Sequence, residues 1–268
     1  MNTAILIASL IASLGIVYDT VEFYQARHEV LEKFYSWRVV RSRYYILVNR
    51  PVLGLAFDAL FARRTFIGLV VAHGLAALAF PVVFYFNPAL AALPAALVLG
   101  VHCLTNVRLM VGRDGADQMQ NIVWGGLLAY CLPLHESVKL VAVGFIVAQL
   151  LLSYIVSGAA KLISPVWRKG TALGLITRMA TYCPPGAARL FSRPAVSFAV
   201  CWFTILFELL APGLLAFGHT GAVIFIVLGT LFHGGIAISM GLTTFVFAFL
   251  ATYPLVYELA GRLWTLWH

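Results

Sequence analysis

The chain has 268 residues, of which 62% are hydrophobic and only 10% charged, with a net charge of +8. Ordinary soluble domains carry about 25% charged residues, so water cannot be the solvent for most of this surface. The basic residues lie between apolar runs instead of alternating with stacking aromatics on a polar face, which excludes nucleic acid as a partner and points to anionic membrane lipids.

A spanning helix needs roughly 20 mostly apolar residues, and several such stretches follow one another. The first, from Asn2 to Tyr18, lacks the basic n-region and small-residue cleavage site of a signal peptide and reads as a spanning helix. Residues 19–64 then mix eight Lys or Arg with Trp37, Tyr44, Tyr45, Phe57 and Phe61, a composition suited to helices lying in the membrane interface, with Pro51 dividing them. Further spans are expected at 66–86, 89–111, 117–134, 138–163, 195–217 and 221–249. Residues 164–194, holding Arg168, Lys169, Arg178, Arg189 and Arg193 around Pro184 and Pro185, form a second interfacial segment, and Arg262, Trp264 and Trp267 a terminal anchor. The expected fold is an all-α polytopic bundle of about seven spanning helices plus interfacial helices. It forms a single membrane domain, with residues 1–64 as the first span and basic helices and residues 66–258 as the helical core.

Ionisable groups inside a bilayer cost about 2.5–3.5 kcal/mol each on insertion scales, so each is a candidate for function. Lys161 sits near the end of a span, with Tyr154 two turns upstream on roughly the same face. A lysine held away from water can give up its proton and act as a base; a lysine near a span end can also snorkel to the headgroups. His233 lies mid-span, followed by Gly234 and Gly235, where it could transfer a proton, bond a quinone oxygen or simply bond a neighbouring helix. Glu208 also falls mid-span and must be protonated or paired, with Lys161 or Arg168 as partner. Asp114 and Asp117 precede a helix as candidate N-caps, and Asn121 lies one turn into it.

Cys103, Cys131, Cys183 and Cys201 form no C-x-x-C pair, and three of them fall in apolar runs where a cysteine reads as a small hydrophobe. Their spacing with the histidines offers no metal set, and the phosphate-loop, zinc-protease and serine-hydrolase signatures are absent.

Three segments together resemble the membrane domain of vitamin K-dependent gamma-carboxylases and their bacterial relatives, the HTTM family. The most specific is Tyr154-Ile-Val-Ser-Gly-Ala-Ala-Lys161-Leu-Ile-Ser-Pro-Val-Trp167-Arg-Lys-Gly170. The others are Phe207-Glu208-Leu-Leu-Ala-Pro212 and the run from Phe232-His233 through Met240-Gly241-Leu242 to Phe245. The resemblance spans residues 117–258. It implies a protein of the bacterial inner membrane that uses a reduced quinone, menaquinol or a vitamin K hydroquinone, with oxygen and carbon dioxide, to modify a peptide or a co-encoded partner.

The same resemblance makes Lys161 the base; in the reading built on it, His233 and Asn121 are catalytic groups that orient the quinone or the oxyanion, and Glu208 sets the protonation of the cluster. Tyr154, Trp167, Glu208 and His233 would then hold the cofactor. The carboxylases carry an Asn-His pair where Gln120-Asn121 stands here, and a large luminal C-terminal region where about ten residues follow the last expected span, so quinol use is a firmer expectation than glutamate carboxylation. Two other readings remain open: a non-catalytic transporter or immunity or assembly partner, and a quinone-linked thiol oxidoreductase.

Overall fold

The structure, a computed structural model, describes residues 1–34, 36–45, 49–109, 115–179 and 183–267. Asp114 lies outside them. Among the described residues the chain forms helices and turns only. It divides into two compact units, Ser9–Ala142 and a second made of Met1–Ala8 with Val143–His268.

In chain order the helices are α1 (Asn2–His28), continued by a π-helical turn (Glu29–Phe34), α2 (Trp37–Arg41), α3 (Pro51–Leu60), α4 (Arg63–Phe86), α5 (Ala92–Arg108) and α6 (Gly115–Cys131). They are followed by α7 (Glu136–Ile163), α8 (Pro165–Arg168), α9 (Ala172–Met179), α10 (Pro185–Phe191), α11 (Pro194–Leu210), a 3-10 turn (Ala211–Phe217), α12 (Gly218–Met240), α13 (Thr243–Leu250) and α14 (Tyr253–Trp267). Prolines open α3, α8, α10 and α11 at the first helical positions, where the missing N–H has no intrahelical partner to lose.

Among the described residues, five stretches are long and apolar enough to cross a membrane: Asn2–Glu32, Arg63–Phe86, Glu136–Ile163, Pro194–Met240 and Thr243–Thr265. This is an integral membrane protein by length and composition. Three boundaries differ from the sequence reading. The first helix does not stop at Tyr18 but runs on to His28, because no glycine or proline interrupts the residues after Tyr18. The expected spans at 89–111 and 117–134 form 17-residue helices, α5 and α6, each about 26 Å long and at the lower limit for a crossing. The expected last span, 221–249, is not continuous: α12 ends at Gly241, whose φ of 71° makes it a left-handed cap. A further apolar stretch, Thr243–Thr265, follows where a short anchor was expected.

In the unit Ser9–Ala142, Leu31, Phe61, Phe66 and Val70 form a core joined by Phe23, Trp37 and Phe57. Asp58 holds the basic helices: it accepts from Trp37 Nε1 at 2.6 Å and pairs with Arg41 at 3.1 Å. Pro81 sits inside α4 and has no N–H to give the carbonyl four residues back. Ser13 Oγ supplies that bond, donating to the Ala77 oxygen at 2.6 Å.

In the other unit, the basic segment folds onto α11. Ala172, Leu173 and Cys201 are buried together, with Trp167, Ile176, Phe191 and Met240 against them. Arg168, Lys169, Arg178, Arg189 and Arg193 face outward. Gly170, with φ 71°, lets the chain turn tightly against Phe198, and Ser197 Oγ donates to its carbonyl.

Candidate functional site

The C-terminal unit brings Lys161, Glu208, Tyr154, Trp167 and His233 into two adjoining layers. Lys161 is in the last turn of α7, and Glu208 near the end of α11. Lys161 Nζ donates to both oxygens of Glu208, at 2.8 and 2.7 Å. It also bonds Ser157 Oγ, one turn back on its own helix, and that hydroxyl donates to Glu208 Oε1 at 3.1 Å. The Lys161 side chain is 18% exposed and that of Glu208 6%. Lys161, expected either to act as a base or to snorkel, is paired with a carboxylate of another helix. Of the two partners left open for Glu208 the structure selects Lys161, since Arg168 is exposed.

Trp167 on α8 lies beside the pair, its ring centre 5.2 Å from Nζ. That distance is within cation–π range and gives the ammonium an apolar neighbour that still favours positive charge. Close approach of α7 to α11 depends on Gly158: a Cβ there would stand 2.9 Å from Leu209 Cγ and 3.0 Å from Glu208 Cβ.

Two turns back along α7, roughly 10 Å, Tyr154 is buried between Phe207 (5.6 Å between ring centres), Phe225 (5.4 Å) and Phe249 (6.0 Å). Its hydroxyl meets His233 Nε2 at 2.9 Å and Tyr253 Oη at 3.2 Å. The imidazole stacks on Phe249 at 4.1 Å and is flanked by Phe232 and Phe245. His233 Nδ1 is buried and has no hydrogen-bond partner among the described residues.

Asn121 belongs to the unit Ser9–Ala142. There its side-chain oxygen accepts from Cys103 Sγ at 3.7 Å, and neighbouring Asp117 contacts the buried His102, whose Nε2 lies 3.3 Å from the Asp117 carbonyl oxygen.

The sequence reading passed over Ser157 and Tyr253. Ser157 precedes Lys161 by four residues, the spacing at which helical side chains meet, so its place was available from the sequence. Tyr253 lies beyond the run expected as the last span, and the chain reaches it through the turn at Gly241.

An all-helical membrane protein with an ion pair and a tyrosine–histidine cluster enclosed by its spans is the class that fold and site define. Residues 133–260 match the family model described as the HTTM domain, so this segment is similar to that family. The matched segment covers just under half of the chain and holds Lys161, Glu208, Tyr154, Trp167, His233 and Tyr253. No curated protein and no solved structure matches the chain.

Proposed function

We propose that the C-terminal unit is the working part of a gamma-carboxylase-like membrane enzyme that uses a reduced quinone, of the menaquinol or vitamin K hydroquinone type, to modify a peptide or other small partner. The observation that carries this reading is the Lys161–Glu208 pair. The residue that the family resemblance makes the base is held by a carboxylate between apolar helices, 2.7 Å from its nearest oxygen.

When bound, a reduced quinone supplies a weakly acidic hydroxyl and the electrons for reaction with oxygen. The residues present fit such a group. His233 Nδ1 offers a buried polar atom without a partner among the described residues, the surrounding phenylalanines give an apolar wall, and Trp167 stands beside the charge. For Lys161 to accept a proton it must first release one. Glu208 is close enough to take it, leaving a neutral amine beside a neutral acid, so the pair holds the proton as a unit. Ser157 bonds both partners and keeps them aligned as the proton shifts. Asn121 lies in the other unit and carries no part of this proposal.

One observation favours a second reading. Ser157 and both Glu208 oxygens together satisfy the Lys161 ammonium, as in a purely structural bridge between helices. A transporter or an immunity or assembly partner would use the pair as interhelical glue, and Lys161→Met would then leave its function intact.

Native mass spectrometry with lipid extraction of the protein purified in mild detergent separates the two. A co-purifying quinone that is lost from Lys161→Ala or His233→Ala is the expected result. Wild-type protein that carries no quinone under mild extraction turns the reading to the non-catalytic alternative.

A further inference from the structure

Tyr253, Tyr154 and His233 form a hydrogen-bonded chain drawn from α14, α7 and α12, with oxygen–oxygen and oxygen–nitrogen distances of 3.2 and 2.9 Å. Each of the three residues is 3% exposed. The rings of Phe207, Phe225, Phe245 and Phe249 surround them, so the protons must be shared among the three groups themselves.

Three arrangements satisfy both contacts. In the first, Tyr253 donates to Tyr154 and Tyr154 donates to His233 Nε2. The imidazole proton is then on Nδ1, and that N–H is the one donor of the three side chains with no partner among the described residues. In the second, Nε2–H donates to Tyr154 and Tyr154 donates to Tyr253, which leaves both the Tyr253 hydroxyl proton and the Nδ1 lone pair unmatched. In the third, Tyr154 accepts from both Nε2–H and the Tyr253 hydroxyl, which leaves its own proton and the Nδ1 lone pair unmatched. Unmade hydrogen bonds in an apolar interior are costly and the first arrangement has fewer of them.

We infer that Tyr154 is a positioning residue that fixes His233 as its Nδ1–H tautomer, so that the histidine presents a ring N–H to an acceptor oxygen, a carbonyl or phenolate, of the molecule bound at this site. The partner of one ring nitrogen decides what the other can do, and Tyr154 is the only side chain among the described residues that bonds Nε2. This changes the part expected of Tyr154 from cofactor contact to support. Its hydroxyl is taken up by His233 and Tyr253, whereas His233 keeps Nδ1 without a partner among the described residues, so Tyr154 acts through His233. The identity of the bound molecule rests on the quinone reading above; the tautomer does not.

Ring-15N histidine spectra of the full chain in lipid nanodiscs test this, with His233→Gln assigning the signal. The expected result is a neutral imidazole protonated at Nδ1 in the wild type, a shift towards the Nε2–H form in Tyr154→Phe, and no change of tautomer in Tyr253→Phe. An Nε2–H wild type, or a Tyr154→Phe spectrum identical to it, overturns the inference. If Tyr154→Phe does not fold, the wild-type and Tyr253→Phe spectra still decide, because the second and third arrangements predict Nε2–H in the wild type.

Menadione, a naphthoquinone with two carbonyl oxygens, should then shift the Nδ1 resonance. A spectrum with Nδ1–H that menadione leaves unmoved overturns the acceptor-oxygen role and the quinone reading together, while the action of Tyr154 on the tautomer is judged by the first spectra alone.

Discussion

Lys161 Nζ reaches both carboxylate oxygens of Glu208, at 2.8 and 2.7 Å, from a different helix. A pair this enclosed costs more to break than to replace, because removing one partner leaves the other charged and without a counterion. Glu208→Gln and Lys161→Met should each lower stability by about 3 kcal/mol, whereas the double variant Lys161→Met/Glu208→Leu should lose much less than the sum. Unfolding in detergent micelles measures all three. Losses that simply add would show that the two groups do not act as a pair.

The pair depends on a residue with no side chain. Because a Cβ on Gly158 would crowd Leu209 Cγ at 2.9 Å and the Leu209 backbone nitrogen at 3.1 Å, α11 must move if Gly158 is enlarged. Gly158→Ala should destabilise by about 1–3 kcal/mol, the usual cost of overpacking. If quinone retention depends on the alignment of Lys161 with Glu208, it should fall as well. An unchanged unfolding midpoint would mean that the helices have room to spare.

Gly229 plays the same part for the tyrosine–histidine layer. A Cβ there would overlap the Tyr253 hydroxyl and stand 2.9 Å from Tyr253 Cζ and 3.2 Å from Tyr154 Oη. Gly229→Ala should therefore cost at least about 2 kcal/mol, and Tyr253→Phe in the same chain should recover part of the loss by removing the clashing oxygen. Thermal melts of the two single variants and the double give the comparison. No recovery in the double would place the clash elsewhere.

In the unit Ser9–Ala142, Ser13 replaces the donor that Pro81 lacks. Ser13→Ala should destabilise by about 1 kcal/mol through an unmade buried hydrogen bond. In a Pro81→Ala background, where the helix supplies its own N–H to Ala77, the same substitution should cost little. Equal losses in both backgrounds would argue against this compensation.

The polar residues of the C-terminal unit were legible because each stands in an apolar run where its cost demands a reason. That rule singled out Lys161, Glu208 and His233, and helical spacing added Tyr154. The same rule applies to His73 and His102, both buried in the other unit, and the sequence reading did not single them out. What the sequence could not convey was which charge meets which. Glu208 and Lys161 are 47 residues apart in the chain, and only the crossing of α7 and α11 joins them. The turn at Gly241 was hidden for another reason. Its single glycine lies in a run so uniformly apolar that hydropathy passes straight through it, although a glycine after helical residues is the usual sign of a left-handed cap.

That turn also sets a timetable. The histidine on α12 is synthesised and threaded into the bilayer before Phe245, Phe249 and Tyr253, which follow Gly241 and wall it in. Until those later residues arrive, a polar ring on a nascent hydrophobic helix must face lipid or find a temporary companion. Completion of the site is therefore a late event of biogenesis, since its enclosure waits on the residues that follow Gly241.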